Sequence, residues 1–238
     1  MDNSVPERCL RGDSLKDDAD FDIVEDYNRT LKNENKKTWT RKTGVFHPSA
    51  LSGCKRSLYY DRIGTEPKEQ IPIDLRALFD MGHAVHDLVQ SRLKDVGNFK
   101  AEVTAVYEPL DIYGHCDGVF TDKDWIVEIK SVGDSTFKSL VRPKKEHIVQ
   151  AHCYMAALDV PRCQILYVNR NNGSMWACRI KFSNEVWEGI VDIINYVNSC
   201  VEKNEPPPKE PSHFWCRSCK FAYTCNPYSD RDEKGHLS

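Results

Sequence analysis

Two carboxylates and one ammonium group fall close together between Tyr113 and Lys130, in a pattern suited to chemistry on a phosphodiester. If Phe120 and Trp125 close a hairpin around residues 121–124, positions whose numbers sum to 245 face each other, and Asp117 stands opposite Glu128. Directly opposed residues have Cβ atoms about 4.5–5.5 Å apart, and like charges that close are unfavourable unless a cation lies between them. Lys130, two positions past Glu128, projects from the same face. Such a face offers two oxygen ligands to Mg²⁺ or Mn²⁺ and an ammonium beside them. A cation held there neutralises phosphate charge and lowers the pKa of a bound water, while the lysine positions that water or stabilises the transition state. The same residues would also suit an exposed hairpin with a solvated cross-strand ion-pair cluster. A one-residue slip would turn Asp117 to the other face.

A second group of chemically capable residues lies near the C-terminal end. Cys216, Cys219 and Cys225 form Cys-x2-Cys-x5-Cys, one ligand short of a tetrahedral set. Zinc completed by His213 or a distant cysteine is one reading. Cys54 is the better fourth ligand, because Ser49, Cys54, Arg56 and Tyr60 form a Ser-x4-Cys-x-Arg-x3-Tyr pattern. Ten cysteines without a secretory start favour metal binding in a reducing cytoplasm over a disulfide framework. Cys9, Cys116, Cys153, Cys163, Cys178 and Cys200 are scattered and read as small buried residues.

These groups need a scaffold, and the hydrophobic pattern supplies one. Leu75, Leu78, Phe79, Val85, Val89 and Leu93 recur at helical spacing over residues 75–94, with His86 beside the stripe. Runs at 103–107, 113–120 and 125–130 predict a three-stranded antiparallel meander. A helix at 147–158 follows, then a hairpin of 164–168 and 175–182 turning at Asn171, Asn172 and Gly173. Ser183 is the expected N-cap of a last helix reaching Val201, which the run Pro206–Pro208 follows. This order predicts an α/β sandwich around a mixed sheet. The expected organisation is a charged arm over residues 1–45, a core over 46–205 and a cysteine segment with tail over 206–238.

With 238 residues, 40% hydrophobic and 29% charged, the chain can bury a full core. It has no apolar run long enough to cross a membrane, so no membrane partner is expected. The net charge of −3 does not exclude nucleic acid, since a cation-binding site is itself rich in carboxylates. Residues 1–26 carry nine acidic and three basic side chains, whereas 27–44 carry one acidic and six basic. That switch reads either as a solvated arm or as a segment that contacts phosphates.

Asp117 followed across a hairpin by Glu128-Ile129-Lys130 resembles the PD-(D/E)XK nuclease superfamily. Gly82-x-x-x-His86 before the hairpin and Gln150-x-x-x-Tyr154 after it resemble its RecB-like branch. One N-terminal cysteine with a C-terminal Cys-x2-Cys-x5-Cys resembles the iron-sulfur members: four-cysteine CRISPR-associated nucleases, AddB-type nuclease domains and exonuclease V. The likeness covers residues 46–227, most of the chain. It implies a restriction-endonuclease-like core whose ends are joined by a 4Fe-4S cluster on Cys54, Cys216, Cys219 and Cys225. It further implies a cation bound by His86, Asp117, Glu128 and the carbonyl of Ile129, with Lys130 as catalytic lysine. Gln150 and Tyr154, four apart on one helix face, are expected to hold a DNA strand or the attacking water. His115, which would face Lys130 in the register above, is a nearby competitor for the cation and is expected to stand behind its direct ligands.

The function so implied is a Mg²⁺- or Mn²⁺-dependent deoxyribonuclease acting as an exonuclease on single strands or free ends, in replication, recombination or repair. The rivals are a non-catalytic nucleic-acid-binding module with structural zinc and a CRISPR-type end-processing endonuclease. There is no Gly-x4-Gly-Lys-Ser/Thr phosphate loop, so any motor would come from a helicase or recombination partner. The expected location is the cytoplasm of a prokaryotic or phage-infected cell.

Overall fold

Five strands form one sheet, side by side in the order in which they occur in the chain. The computed structural model describes residues 23–35, 42–67, 73–210, 216 and 219–226. His213 and most of the charge switch lie outside them. The chain divides into two compact units, residues 1–38 and 39–238, and the sheet belongs to the second. In the first, α1 (Ile23–Asn35) carries an Arg29–Asp26 ion pair and a hydrogen bond from Thr30 Oγ1 to the Tyr27 carbonyl at 2.7 Å.

β1 (Phe99–Tyr107), β2 (Ile112–Phe120) and β3 (Trp125–Val132) form the expected antiparallel meander. β3 then pairs in parallel with β4 (Arg162–Asn169), which turns back antiparallel into β5 (Met175–Lys181), so the sheet is mixed. A parallel pairing needs a crossover, and α4 (Asp134–Ser139) with α5 (Lys145–Leu158) provides it. The crossover explains why residues 126–129 are all buried: helices cover both faces of β3. On one face α3 (Ile73–Leu93) packs Val85, Val89 and Leu93 against Val127, Ile129 and Val168. On the other, Ala151, Tyr154 and Met155 of α5 pack against Ile126, Cys163 and Ile165.

The predicted stripe of α3 holds only for its second half. Leu78 and Phe79 are exposed, because the contacts of α3 with the sheet run through the half that contains Val85, Val89 and Leu93. α2 (Lys55–Arg62) and α4 are short elements that sequence periodicity does not reveal. α6 (Asn184–Glu202) begins at the predicted cap, where Ser183 Oγ accepts from the Val186 amide at 3.5 Å. Its buried residues Ile190, Ile194 and Val197 join Leu58, Tyr59 and Tyr60 of α2 in a second core, which also contains Val149 and Cys153 of α5. The short α7 (Ala222–Cys225) follows Phe221, which is buried in that same core. Among the described residues no helix is long and apolar enough to cross a membrane.

Candidate functional site

The β2–β3 ladder has the expected register, with Gly118, Val119 and Phe120 paired to Val127, Ile126 and Trp125. It ends there. Asp117 and Glu128, next in line, are not paired through their backbones, and the amide of Ile129 instead donates to Asp117 Oδ2 at 2.5 Å. The other Asp117 oxygen, Oδ1, lies 3.1 Å from Nδ1 of His86, reaching in from α3. Glu128 is 1% exposed, with Oε1 2.7 Å from Lys130 Nζ. Its second oxygen, Oε2, is buried and has no hydrogen-bond partner. Lys130 Nζ also donates to Gln150 Oε1 at 2.8 Å, and Gln150 Nε2 donates to the Tyr154 hydroxyl at 3.1 Å.

His86, Asp117, Glu128, Lys130, Gln150 and Tyr154 therefore stand together, on α3, β2, β3 and α5. His115 does not join them. It lies past the end of the β2–β3 ladder, is exposed, and sets its ring edge-on against Tyr113 at 5.5 Å. Gln150 and Tyr154 are both buried, so their polar ends face Lys130 and each other. A Cβ built on Gly82, one turn before His86, would meet nothing within 4 Å.

The electrostatics follow from burial and from the two carboxylates. Burial pushes the Glu128 carboxyl up to about 7, and the nearby Asp117 charge pushes the same way against Lys130 and His86. For His86, burial disfavours the imidazolium, but the hydrogen bond and charge of Asp117, helped by Glu128, leave it above its ordinary value. Burial raises the Tyr154 phenol, which stays protonated. The pocket holds a buried carboxylate with one oxygen unsatisfied, a state that a hard divalent cation relieves. Among the described residues, no three His, Cys, Asp or Glu side chains already stand in metal-coordinating geometry.

Sequence reading missed two neighbours. Gln90, one turn beyond His86 on α3, donates to the Asp117 carbonyl at 2.9 Å; its spacing from His86 was a visible signal. His147, three positions before Gln150, has Nδ1 2.7 Å from the Tyr167 hydroxyl. Burial, then the charges of Lys130 and Lys144, lowers it to about 3, so it is neutral.

Cys54, Cys216, Cys219 and Cys225 line one cavity, walled by Tyr60 and Phe221. Cys54 is the N-cap of α2 and Cys225 the last residue of α7. The Cys225 thiol is raised by burial and by the other three sulfurs, against the opposing charge of Arg56. Phe221 packs on Tyr60 with ring centroids 5.5 Å apart, Lys220 pairs with Asp61, and Arg56 donates to the Pro207 carbonyl at 2.6 Å. A set of four thiol donors in a partly apolar cavity suits zinc or an iron-sulfur cluster.

No protein-family model and no curated protein matches the chain. Solved structures do. The crystal structure of SSO0001 superposes with TM-score 0.59 at 16% identity, covering 86% of this chain and 96% of that one. The alkaline exonuclease LHK-Exo from Laribacter hongkongensis superposes with TM-score 0.55 at 15% identity, covering 68% and 90%. The same exonuclease in complex with dAMP gives 0.53 at 16% identity, covering 68% and 89%. The chain shares their fold. At this identity the likeness is one of architecture: a mixed five-stranded sheet flanked by helices.

Proposed function

We propose that the protein is a divalent-cation-dependent DNA nuclease of the exonuclease type. The observation that carries this reading is Glu128, a buried carboxylate with one unpartnered oxygen, held between Lys130 and the Asp117–His86 pair. The residues that would hold the cation are His86, Asp117, Glu128 and the carbonyl of Ile129, a hard oxygen-and-imidazole set suited to Mg²⁺ or Mn²⁺. When bound, the cation supplies charge neutralisation at the phosphate and a water of lowered pKa.

The chain's own residues do the rest. Lys130 places its ammonium beside the carboxylates, where charge develops on the phosphate oxygens. Gln150 fixes Lys130 by accepting a hydrogen bond from its ammonium, and the Tyr154 hydroxyl fixes Gln150 by accepting one from its amide. Their burial supports a role in holding Lys130 over a role in touching the strand. The four thiols of Cys54, Cys216, Cys219 and Cys225 are assigned a structural 4Fe-4S cluster in a reducing, cytoplasmic setting. Single-strand preference and a helicase or recombination partner belong to the same reading; the dAMP held by LHK-Exo is in keeping with a nucleotide product.

The deciding assay is digestion of end-labelled single-stranded DNA with Mg²⁺ or Mn²⁺, by wild type and Glu128→Ala, alongside a circular substrate. The expected result is cation-dependent release of label by the wild type alone, with circles resistant. Equal activity of the two proteins would overturn the assignment, and cleavage of circles would turn it toward end-processing endonuclease action.

A further inference from the structure

The pairing around Asp117 is broken on both sides without an inserted residue. Toward β1, Ala101 pairs with Gly118 and Val103 with Cys116, so Glu102 falls opposite Asp117 in unbroken register, yet these two are not paired. Glu102 has φ 51°, in the left-handed region. Five other non-glycine residues among those described have positive φ: Asp111, Asp124, Asp159, Asn204 and Asn226. All five are Asp or Asn in turns or at element ends, where that conformation is tolerated. Glu102 alone is a long side chain in the middle of a strand. Strained backbone of this kind persists where the surroundings enforce it, and it clusters at functional sites.

The side chain that joins Glu102 to Asp117 is Gln90. This residue is 5% exposed, and its Nε2 donates to the Asp117 carbonyl at 2.9 Å and to Glu102 Oε1 at 2.6 Å, one hydrogen for each. Outside both ladders, Asp117 is thus fixed by three side-chain-mediated bonds: Gln90 on its carbonyl, His86 on Oδ1 and the Ile129 amide on Oδ2. Gln90 and His86 are one helical turn apart on α3, so the bond to Gln90 also sets the approach of α3, and with it His86, to β2. Glu102 accepts from the amide nitrogen and so orients it.

We infer that Gln90 and Glu102 are positioning residues for cation binding: the left-handed Glu102 orients the Gln90 amide, which holds Asp117 and His86 in ligand geometry. This rests on the cation reading of the site given above. Partners that orient ligands typically matter by about 10–100-fold in metal affinity.

The test uses Glu102→Gly, Glu102→Gln and Gln90→Leu in the full-length protein, with Mn²⁺ binding read from the EPR signal of free Mn²⁺ and folding from thermal melts. Glycine accepts φ 51° without strain, so Glu102→Gly is expected to melt at or above the wild-type temperature while binding Mn²⁺ at least about tenfold more weakly. Glu102→Gln keeps an acceptor for the Gln90 amide and is expected to retain most of the wild-type affinity. Gln90→Leu should match the loss in Glu102→Gly, and the double variant should lose no more. Wild-type affinity in Glu102→Gly would overturn the inference while leaving the cation site standing. A wild-type protein that takes up no Mn²⁺ would instead overturn the cation reading, and this inference with it.

Discussion

Glu128→Gln is expected to change how stability depends on pH, by an amount that follows from the burial of one carboxyl. Glu128 is 1% exposed and its pKa stands at about 7 against an ordinary 4.5. The folded protein therefore holds this proton more tightly than the unfolded chain does. Below about pH 4.5 both states keep the proton and no stability is lost. Between 4.5 and 7 the unfolded chain releases it first, so stability falls as pH rises; above 7 the loss is complete. The difference in pKa corresponds to about 3 kcal/mol. Glutamine does not titrate and removes this slope. Both the protonated acid and the amide leave one buried polar group unsatisfied, so that cost cancels when the two proteins are compared across pH.

Urea unfolding followed by the fluorescence of the five tryptophans, without divalent cations, should show the stability of Glu128→Gln relative to wild type rising by about 3 kcal/mol between pH 4.5 and pH 8. In melts this is roughly 6–12 °C for a chain of this size. Adding Mn²⁺ at pH 8 should stabilise the wild type, by about 2.7 kcal/mol at a hundredfold excess over its dissociation constant, and the variant much less. Parallel pH profiles for the two proteins would refute the claim that Glu128 is a desolvated carboxylate.

A Cβ on Gly114 would lie 2.9 Å from Pro48 Cδ and 3.2 Å from Tyr154 Cε1, so Gly114→Ala should destabilise by about 1–3 kcal/mol in thermal melts and, through Tyr154, lower the proposed nuclease activity. Gly82→Ala, which meets nothing within 4 Å, is the control expected to melt no lower than wild type; equal melting of the two variants would sink the packing argument. For the cysteines, anaerobically purified wild type should contain iron and absorb near 400 nm as thiolate-bound iron-sulfur clusters do, about the blue edge of the visible. Cys219→Ser should lose that band and melt lower, since tying Cys54 to the distant C-terminal cysteines closes a loop long enough to contribute about 5 kcal/mol. Zinc and no visible band in the wild type would refute the cluster.

Much of the scaffold was legible because its signals are local. A four-residue turn between Phe120 and Trp125 fixes the register of β2 against β3, and the pairing of Gly118–Phe120 with Trp125–Val127 follows. α5 and α6 announce themselves by apolar spacing and, for α6, by the Ser183 cap. The co-location of His86, Asp117, Glu128 and Lys130 was readable from motif order. What the sequence hides is where side chains replace backbone. Nothing local says that Asp117 leaves its ladder to take the Ile129 amide, that Glu102 turns left-handed in mid-strand, or that His115 faces solvent. The setting of Asp117 and Glu102 depends on α3 delivering Gln90 and His86 from the far side of a loop. The exposure of Leu78 and Phe79 was hidden too, because periodicity reports an apolar face and says nothing of how far the sheet beneath it extends.

The core beside the cysteine cavity and the carboxylate pocket share α5, and that helix links the thiol-bearing segments to the pocket. Val149 and Cys153 pack into the core with Tyr60, Phe221 and the apolar face of α6. Ala151, Tyr154 and Met155 pack into the core under the sheet, and Gln150 reaches Lys130. Consecutive residues of one helix thus belong to two cores, so α5 cannot shift against one without disturbing the other. Phe221 and Cys225 are held near α2 by packing on Tyr60, by the Lys220–Asp61 pair and by the common cavity of the thiols. Ion pairs of this kind contribute little alone, which leaves most of the clamping to apolar contact and to whatever the four thiols bind. A cluster there would hold the second core closed and, through α5, keep Gln150 within reach of the Lys130 ammonium without touching the substrate.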